Sequence, residues 1–255
     1  MIIPRLRSPI VLVHGLLGFD RVRFCGWTLA SYFPGIDTAL TEAGNRVLVA
    51  QVSPAGSVKQ RAHDLKALLD REAPSEPVHL IGHSMGGLDS RYLISRLGME
   101  DRVLSLTTLG TPHRGSAFAD WGVRHLAHFL RPFLDFLGIT YDAFFDLTTK
   151  SCKAFNEQTP DSPKVRYFSV AGRFQPDWLY PEWQLPHRII SAREGPNDGL
   201  VSEASAKYGE DCTYWDGDHV SLINWPAPAA KARGIWRDRV DDYAVLVRRL
   251  KDEGF

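Results

Sequence analysis

Short apolar runs recur along the chain, separated by stretches in which apolar residues fall three and four positions apart. The runs predict strands at Ile10–Val13, Val47–Val52, Val78–Ile81, Val103–Leu109 and Val165–Ala171, with Arg188–Ser191 as a further candidate. Several are nearly continuous rather than alternating, the pattern of strands covered by helices on both faces. Helical stretches lie between them at Asp37–Ala43, Ser57–Asp70 and Leu88–Leu97. In the second, Ala62, Leu65, Leu68 and Leu69 share one face, and a last helix over Asp238–Leu250 aligns Val240, Tyr243, Ala244, Val247 and Leu250. Strands alternating with helices predict an α/β fold with a mostly parallel central sheet and helices on both faces.

One region departs from this rhythm. Between Phe118 and Cys152 no strand pattern occurs, but Leu126, Phe129, Leu130, Phe133, Leu134 and Leu137 repeat with helical spacing, and Pro132 is expected to bend or end that helix. Tyr141, Phe144, Phe145 and Leu147 follow. The segment 118–152 reads as a helical cap or lid inserted into a single domain spanning 1–255. The alternative is that the same face packs immovably on the core.

Composition narrows the function classes. Thirty Lys+Arg balance thirty Asp+Glu for zero formal charge. No basic block is present, which argues against nucleic acid as a partner. At 255 residues with 44% apolar and 24% charged positions, the chain has enough apolar surface for a core without disulfides or metals. The three cysteines, Cys25, Cys152 and Cys212, have neither metal-type nor redox-type spacing and read as reduced thiols. The aromatic stretch Ala117–Ile139 is interrupted by Asp120, Arg124, Arg131 and Asp135, so no transmembrane segment is expected. The N-terminal residues lack the apolar run of a signal peptide, and the chain as it stands reads as intracellular and cytoplasmic, the alternative being a secreted protein whose leader has been removed.

The chemistry gathers at Gly82-His83-Ser84-Met85-Gly86, which follows the strand Val78–Ile81 and precedes a helical pattern. A serine on so sharp a turn needs small neighbours at −2 and +2, and the following helix points its first N–H groups at developing negative charge. Pro9–Gly18 reads as a strand entering His14-Gly15-Leu16-Leu17, where the Leu16 N–H and the Met85 N–H would form an oxyanion hole. The chain order Ser, Asp, His leaves His113, His125, His128, His187 and His219 as bases. His219, in the polar loop Gly217–Val220 near the C-terminus, ranks first. For the acid, Asp198 in the turn Pro196–Val201 ranks ahead of Asp216 and Asp218, because an adjacent aspartate reaches Nδ1 with difficulty. Asp89 and Arg91, in the helix after Ser84, read as structural ties.

These residues resemble the α/β-hydrolase lipases, and among them bacterial triacylglycerol lipases whose secreted members use a foldase. The resemblance rests on V-H-G-L-L-G-F-D (Val13–Asp20), Tyr32–Ile36, G-H-S-M-G-G-L-D-S-R-Y (Gly82–Tyr92), L-G-T-P-H-R-G-S (Leu109–Ser116), Phe155-Asn156 with Thr159–Asp161, and P-N-D-G-L-V-S (Pro196–Ser202). It implies the α/β-hydrolase fold, the triad Ser84, Asp198 and His219, the donors Leu16 and Met85, and a helical lid within 118–152. Two departures stand out. Where secreted relatives carry a calcium-binding aspartate two residues after the catalytic histidine, this chain has Ser221. Where they carry a cysteine after the aspartate's turn, it has Glu203-Ala204-Ser205. The expectation is therefore a lipase cleaving esters of apolar acids, with no metal and no cofactor. Leu17, His113, Trp121, Leu126, Phe129, Leu200 and Val220 are the expected substrate contacts, and the substrate is a lipid met at a lipid–water interface. A short-chain esterase, thioesterase or acyltransferase on the same triad is the alternative. A non-catalytic binding protein is disfavoured by the intact motif. No feature demands more than a monomer.

Overall fold

The computed structural model describes residues 1–16, 21–24, 27–125, 141–178, 180–226, 231–234 and 236–255, with backbone alone at 21–24, 27–30, 141 and 142. The strands are β1 (Ile10–Val13), β2 (Arg21–Phe24), β3 (Trp27–Ser31), β4 (Val47–Val49), β5 (Val78–His83), β6 (Val103–Leu109), β7 (Arg166–Arg173) and β8 (Asp211–Asp216). Six form one sheet in the order β4-β1-β5-β6-β7-β8. Every neighbouring pair in it is parallel.

Side chains along the central strands alternate between two cores, as the two-residue period of a strand requires. Val11, Val13 and Leu80 meet Ala62, Leu65, Leu69, Leu93 and Ile94 on one face. Ile10, Leu12 and Ile81 meet Leu40, Phe168, Val170, Tyr243, Val247 and Leu250 on the other. The first face is covered by α2 (Val58–Glu72) and α3 (Met85–Arg96), and the second by α1 (Ile36–Glu42) and the final helix Val240–Asp252. α2 starts cleanly because the Ser57 hydroxyl accepts the Gln60 N–H, filling one of the unpaired donors of its first turn.

Strand order reverses direction at β1: the chain moves outward to β4, then returns to β5 and continues to β8. Ligands of open α/β sheets bind where such a reversal leaves a crevice beyond the carboxyl ends of the strands. Here that crevice is bordered by the residues following β1 and β5, namely His14-Gly15-Leu16 and Ser84-Met85.

Most expected elements are present with ends moved by a few residues, but three readings need correction. Arg188–Ser191 is helical, inside Pro181–Glu194, which opens on a proline. Pro186, His187 and Ile190 are its buried positions, so the Ile189-Ile190 pair belongs to a helical stripe rather than a strand. β8 was missed because it is an edge strand of mixed exposure, bounded by Asp211 and Asp216, with no apolar run to announce it. The antiparallel pair β2–β3, outside the main sheet, was missed too. Within the expected cap, residues 117–125 are helical, and short helices span Tyr141–Phe145 and Thr149–Gln158. The helix expected over Leu126–Leu137 lies outside the described residues. No helix among the described residues is long and apolar enough to cross a membrane. Cys152 and Cys212 are free thiols; Cys25 lies outside the described residues.

Candidate active site

The site begins with backbone geometry. Ser84, between β5 and α3, has φ 53° and ψ −127°, a conformation that L-residues adopt only where surrounding structure enforces it. The enforcement is visible. The Ser84 N–H donates to the Leu109 carbonyl at 2.9 Å, and the Thr111 hydroxyl donates to the Ser84 carbonyl at 2.8 Å. Neighbouring glycines leave no room for anything larger. A Cβ on Gly82 would stand 2.8 Å from Gly86 and Gly87 backbone, and one on Gly86 would stand 2.7 Å from the His14 carbonyl oxygen. The turn carrying the serine is thus clamped between α3 and the end of β1.

The other partners come from the far side of the sheet. Asp198 sits in a tight turn after Pro196 and is fully buried. One carboxylate oxygen accepts the Leu200 and Val201 N–H groups at 2.9 and 2.7 Å, and the other meets His219 Nδ1 at 2.8 Å. The His219 N–H donates to the Asp198 carbonyl at 2.8 Å, so backbone and side chain together fix the imidazole. Two glycines, Gly172 outside the quoted motifs and Gly110 inside Leu109–Ser116, make this possible. A Cβ on Gly172 of β7 would press to 2.7 Å from Asp198 Cβ, and one on Gly110, which has φ +54°, would come within 2.9 Å of its carboxylate. Gly172 carries no signal that sequence reasoning could use, and Gly110 only its place in that motif.

The competing residues are engaged elsewhere. Asp218 accepts the Ser221 N–H at 2.8 Å, and Asp216 is exposed at the end of β8. His187 Nε2 donates to the Phe174 carbonyl, and His125 Nδ1 to the Trp121 carbonyl. His128 lies outside the described residues. Among the described residues, His219 is the histidine whose ring meets a carboxylate.

Ser84 and His219 open on one cavity of about 370 Å³. Leu16, Phe118, Ala119, Phe144, Leu147, Leu200, Val201, Val220 and Ile223 line it, with Tyr32, His83 and Ser116 as further polar neighbours. Two expected contacts, Leu200 and Val220, are therefore at the cavity, together with Leu16 of the expected oxyanion pair. Two are not. His113 is buried behind the elbow, with Nε2 3.0 Å from the Thr108 hydroxyl and its ring stacked 4.0 Å from Tyr208. Trp121 stacks on Phe118 rather than lining the wall itself. Leu17, Leu126 and Phe129 lie outside the described residues. Phe118, Phe144 and Leu147 are not among the expected contacts, although Phe144 and Leu147 belong to the apolar group of the expected cap.

Met85 is the first residue of α3, where helix geometry leaves the N–H without an intrahelical acceptor. The loop bearing Leu16 is held from behind by a residue that sequence reading passed over. Arg61 of α2 donates to the His14 carbonyl at 2.5 Å, to the Ser53 carbonyl at 2.7 Å and to Asp89 at 2.8 Å. Arg61 and Asp89 are both fully buried; burial pushes the Asp89 carboxyl up to about 7 while Arg61 pulls it down. Asp89 thus serves as the structural tie expected. Arg91 does the same on another side, donating to Asn156 at 2.7 Å and to the Thr159 carbonyl at 3.1 Å. On the His219 loop, Arg239 donates to the Asp216 and Ser221 carbonyls and pairs with Asp242.

The fold and sequence have known counterparts. The profile of the palmitoyl protein thioesterase family matches residues 9–159, more than half the chain. Triacylglycerol lipase 2 of Saccharomyces cerevisiae is 35% identical over 267 residues, covering 86% of this chain and 81% of that one. A triacylglycerol lipase of Pseudomonas fragi is 28% identical over 97% of both chains. The crystal structure of the mature Bacillus licheniformis lipase BlEst2 superposes with a TM-score of 0.70 at 27% identity, over 89% of this chain and 91% of that one. By sequence and fold together, the chain belongs to this lipase and palmitoyl protein thioesterase family of α/β-hydrolases, and it is a lipase-type carboxylic ester hydrolase.

Proposed function

We propose that the protein cleaves carboxylic esters of apolar acyl groups, of the triacylglycerol type, through Ser84, His219 and Asp198 and an acyl-enzyme intermediate. The observation that carries this reading is the buried Asp198–His219 pair, 2.8 Å apart, sharing an apolar cavity with a serine on a strained turn. Ser84 Oγ attacks the ester carbon while His219 Nε2 takes its proton. Asp198 accepts from Nδ1–H, which fixes the tautomer and stabilises the imidazolium that forms. The carbonyl oxygen becomes an oxyanion facing the Leu16 and Met85 N–H groups, aided by the N-terminal end of α3. His219 then returns the proton to the leaving alcohol. Water enters by the same route in reverse and releases the acid.

The wall of Leu16, Phe118, Phe144, Leu147, Leu200 and Val220 offers an acyl chain dispersion contacts and no hydrogen-bond partners, favouring apolar acids over polar ones. Segment 118–152 supplies three of these six residues, consistent with a cap that covers the chain during reaction. Acyl thioesters are a second reading. It is favoured by the thioesterase family match over residues 9–159, and the same steps serve a thiolate leaving group.

The test is hydrolysis of p-nitrophenyl esters from acetyl to palmitoyl, an emulsified triglyceride and a palmitoyl thioester, with Ser84→Ala as control. Activity should favour long chains and vanish in the variant. Full activity in Ser84→Ala would overturn the assignment. A palmitoyl thioester cleaved faster than the matching oxygen ester would select the second reading.

A further inference from the structure

His83 precedes the serine in sequence, and both of its ring nitrogens are engaged. Nε2 lies 3.0 Å from the carbonyl oxygen of His219, and Nδ1 lies 2.9 Å from the hydroxyl of Tyr32. That hydroxyl also receives the Gly15 N–H at 3.0 Å. Hydrogen positions follow from the acceptors. A carbonyl only accepts, so Nε2 must carry the proton. Burial holds the imidazole neutral, well below its ordinary value, with the nearby His219 adding to the effect, so Nδ1 is left as a bare lone pair. The Tyr32 O–H must then donate to Nδ1, leaving its oxygen to accept from Gly15. Burial pushes the Tyr32 hydroxyl up to about 12, so it keeps that proton.

The chain of bonds joins the three segments that catalysis must keep in register: the loop after β1, the serine turn, and the loop of the base. Its anchor belongs to the same assembly, because Trp225 Nε1 donates to the Tyr32 carbonyl at 2.9 Å and Asn224 Nδ2 to the Pro34 carbonyl at 2.8 Å. Both donors follow His219 closely in sequence. Gly15 is pressed against the serine as well: a Cβ there would lie 2.8 Å from Ser84 Cβ and 2.9 Å from the Tyr32 hydroxyl.

We propose that Tyr32 and His83 are positioning residues which, through Gly15, set the oxyanion loop at its working distance from Ser84 and lock it to the loop of His219. The proposal rests on the assignment of Ser84 and His219 above. Oxyanion donors act only within a few tenths of an ångström of the right place, and an error of about 1 Å costs about 100-fold. Tyr32→Phe keeps the ring and removes only the hydroxyl. It should lower kcat about 10- to 100-fold with KM nearly unchanged. The inhibition constant of an alkyl boronic acid, whose tetrahedral adduct needs the same donors, should rise in parallel.

Because the two residues act as one unit, Tyr32→Phe combined with His83→Asn should be little worse than the more damaging single change. Multiplying losses, an unchanged kcat in Tyr32→Phe, or a loss carried by KM alone would each overturn the relay, the last by making Tyr32 a substrate contact. If either His83 variant fails to fold, Tyr32→Phe with the boronic acid decides the question alone. Covalent labelling of Ser84 by a fluorophosphonate separates the two levels. A labelled serine with an unimpaired Tyr32→Phe sinks only the relay, whereas an unlabelled wild-type serine sinks the site.

Discussion

The polar network that ends at Ser84 and the apolar cavity that opens on it obey opposite rules. In the network the partners and directions of each group are fixed: Asp198 accepts from Leu200, Val201 and His219, and His83 is held at both nitrogens. Along the cavity wall, Leu16, Phe144, Leu147, Leu200 and Val220 offer shape alone, and another apolar residue of similar volume would serve nearly as well. The contrast follows from the cost of error. A buried polar atom without its partner loses about 1–3 kcal/mol, whereas a repacked apolar wall loses less and remains functional. On the proposed function, reaction chemistry resides in the rigid half and chain-length preference in the adaptable half.

The contrast can be broken from either side, and the largest effect belongs to the polar half. Ser84→Ala should lower kcat by about 10⁶-fold with an unchanged melting temperature, read by p-nitrophenyl ester turnover and calorimetry. A variant that kept its activity would move the nucleophile elsewhere. Asp198→Asn should cost about 10⁴-fold in kcat, because an amide in place of the carboxylate favours the wrong tautomer of His219. A loss of only a few fold would mean that the aspartate is structural.

On the apolar side, Leu200→Trp should cut kcat/KM for palmitoyl esters by about 10- to 100-fold, the scale on which a pocket discriminates by shape. Acetyl esters should be nearly unaffected. Equal losses for both chain lengths would show that the wall also holds the catalytic groups.

The last expected effect is on stability against pH rather than on turnover. His79, His83 and His113 are buried, and burial lowers all three below the ordinary 6.5, His79 to about 4. Below pH 6.5 the unfolded chain takes up protons at these positions and the native chain does not. These three rings therefore lower stability as pH falls from about 6.5 to their native values, by about 1.4 kcal/mol per pH unit for each histidine. The Asp89 carboxyl, raised to about 7, takes up a proton in the native chain over that range and offsets one of them. Urea midpoints between pH 7 and 5 measure the slope, which should be shallower in His83→Asn. A midpoint independent of pH would mean that these rings are protonated in the native state.

The same contrast explains what the sequence disclosed. Gly82, Ser84, Gly86, Asp198 and His219, which the structure brings together in the proposed site, stood out in the sequence because the serine turn and the acid turn tolerate few residues, and such intolerance leaves a pattern. Strand β1 was legible because both of its faces are covered, giving an unbroken apolar run. β8 was not, since an edge strand alternates with solvent. Arg61 and Gly172 were illegible for a different reason, and Tyr32 and Gly110 were visible only as members of the quoted motifs, not for what they touch. Their roles arise from contacts across long sequence separations, such as Arg61 with the His14 carbonyl, and no local spacing encodes them. His113 misled because it sits beside a motif yet turns inward to Thr108 and Tyr208.

The central claim is that Ser84 is the nucleophile and that the cavity beside it receives an apolar acyl chain. Its most direct test is to react the protein with p-nitrophenyl alkylphosphonates of short and long chain and to locate the adduct by peptide mass spectrometry. The account predicts a single adduct on Ser84, formed faster with the longer chain, and none in Ser84→Ala. An adduct on another residue, or equal rates for both chains, would contradict it.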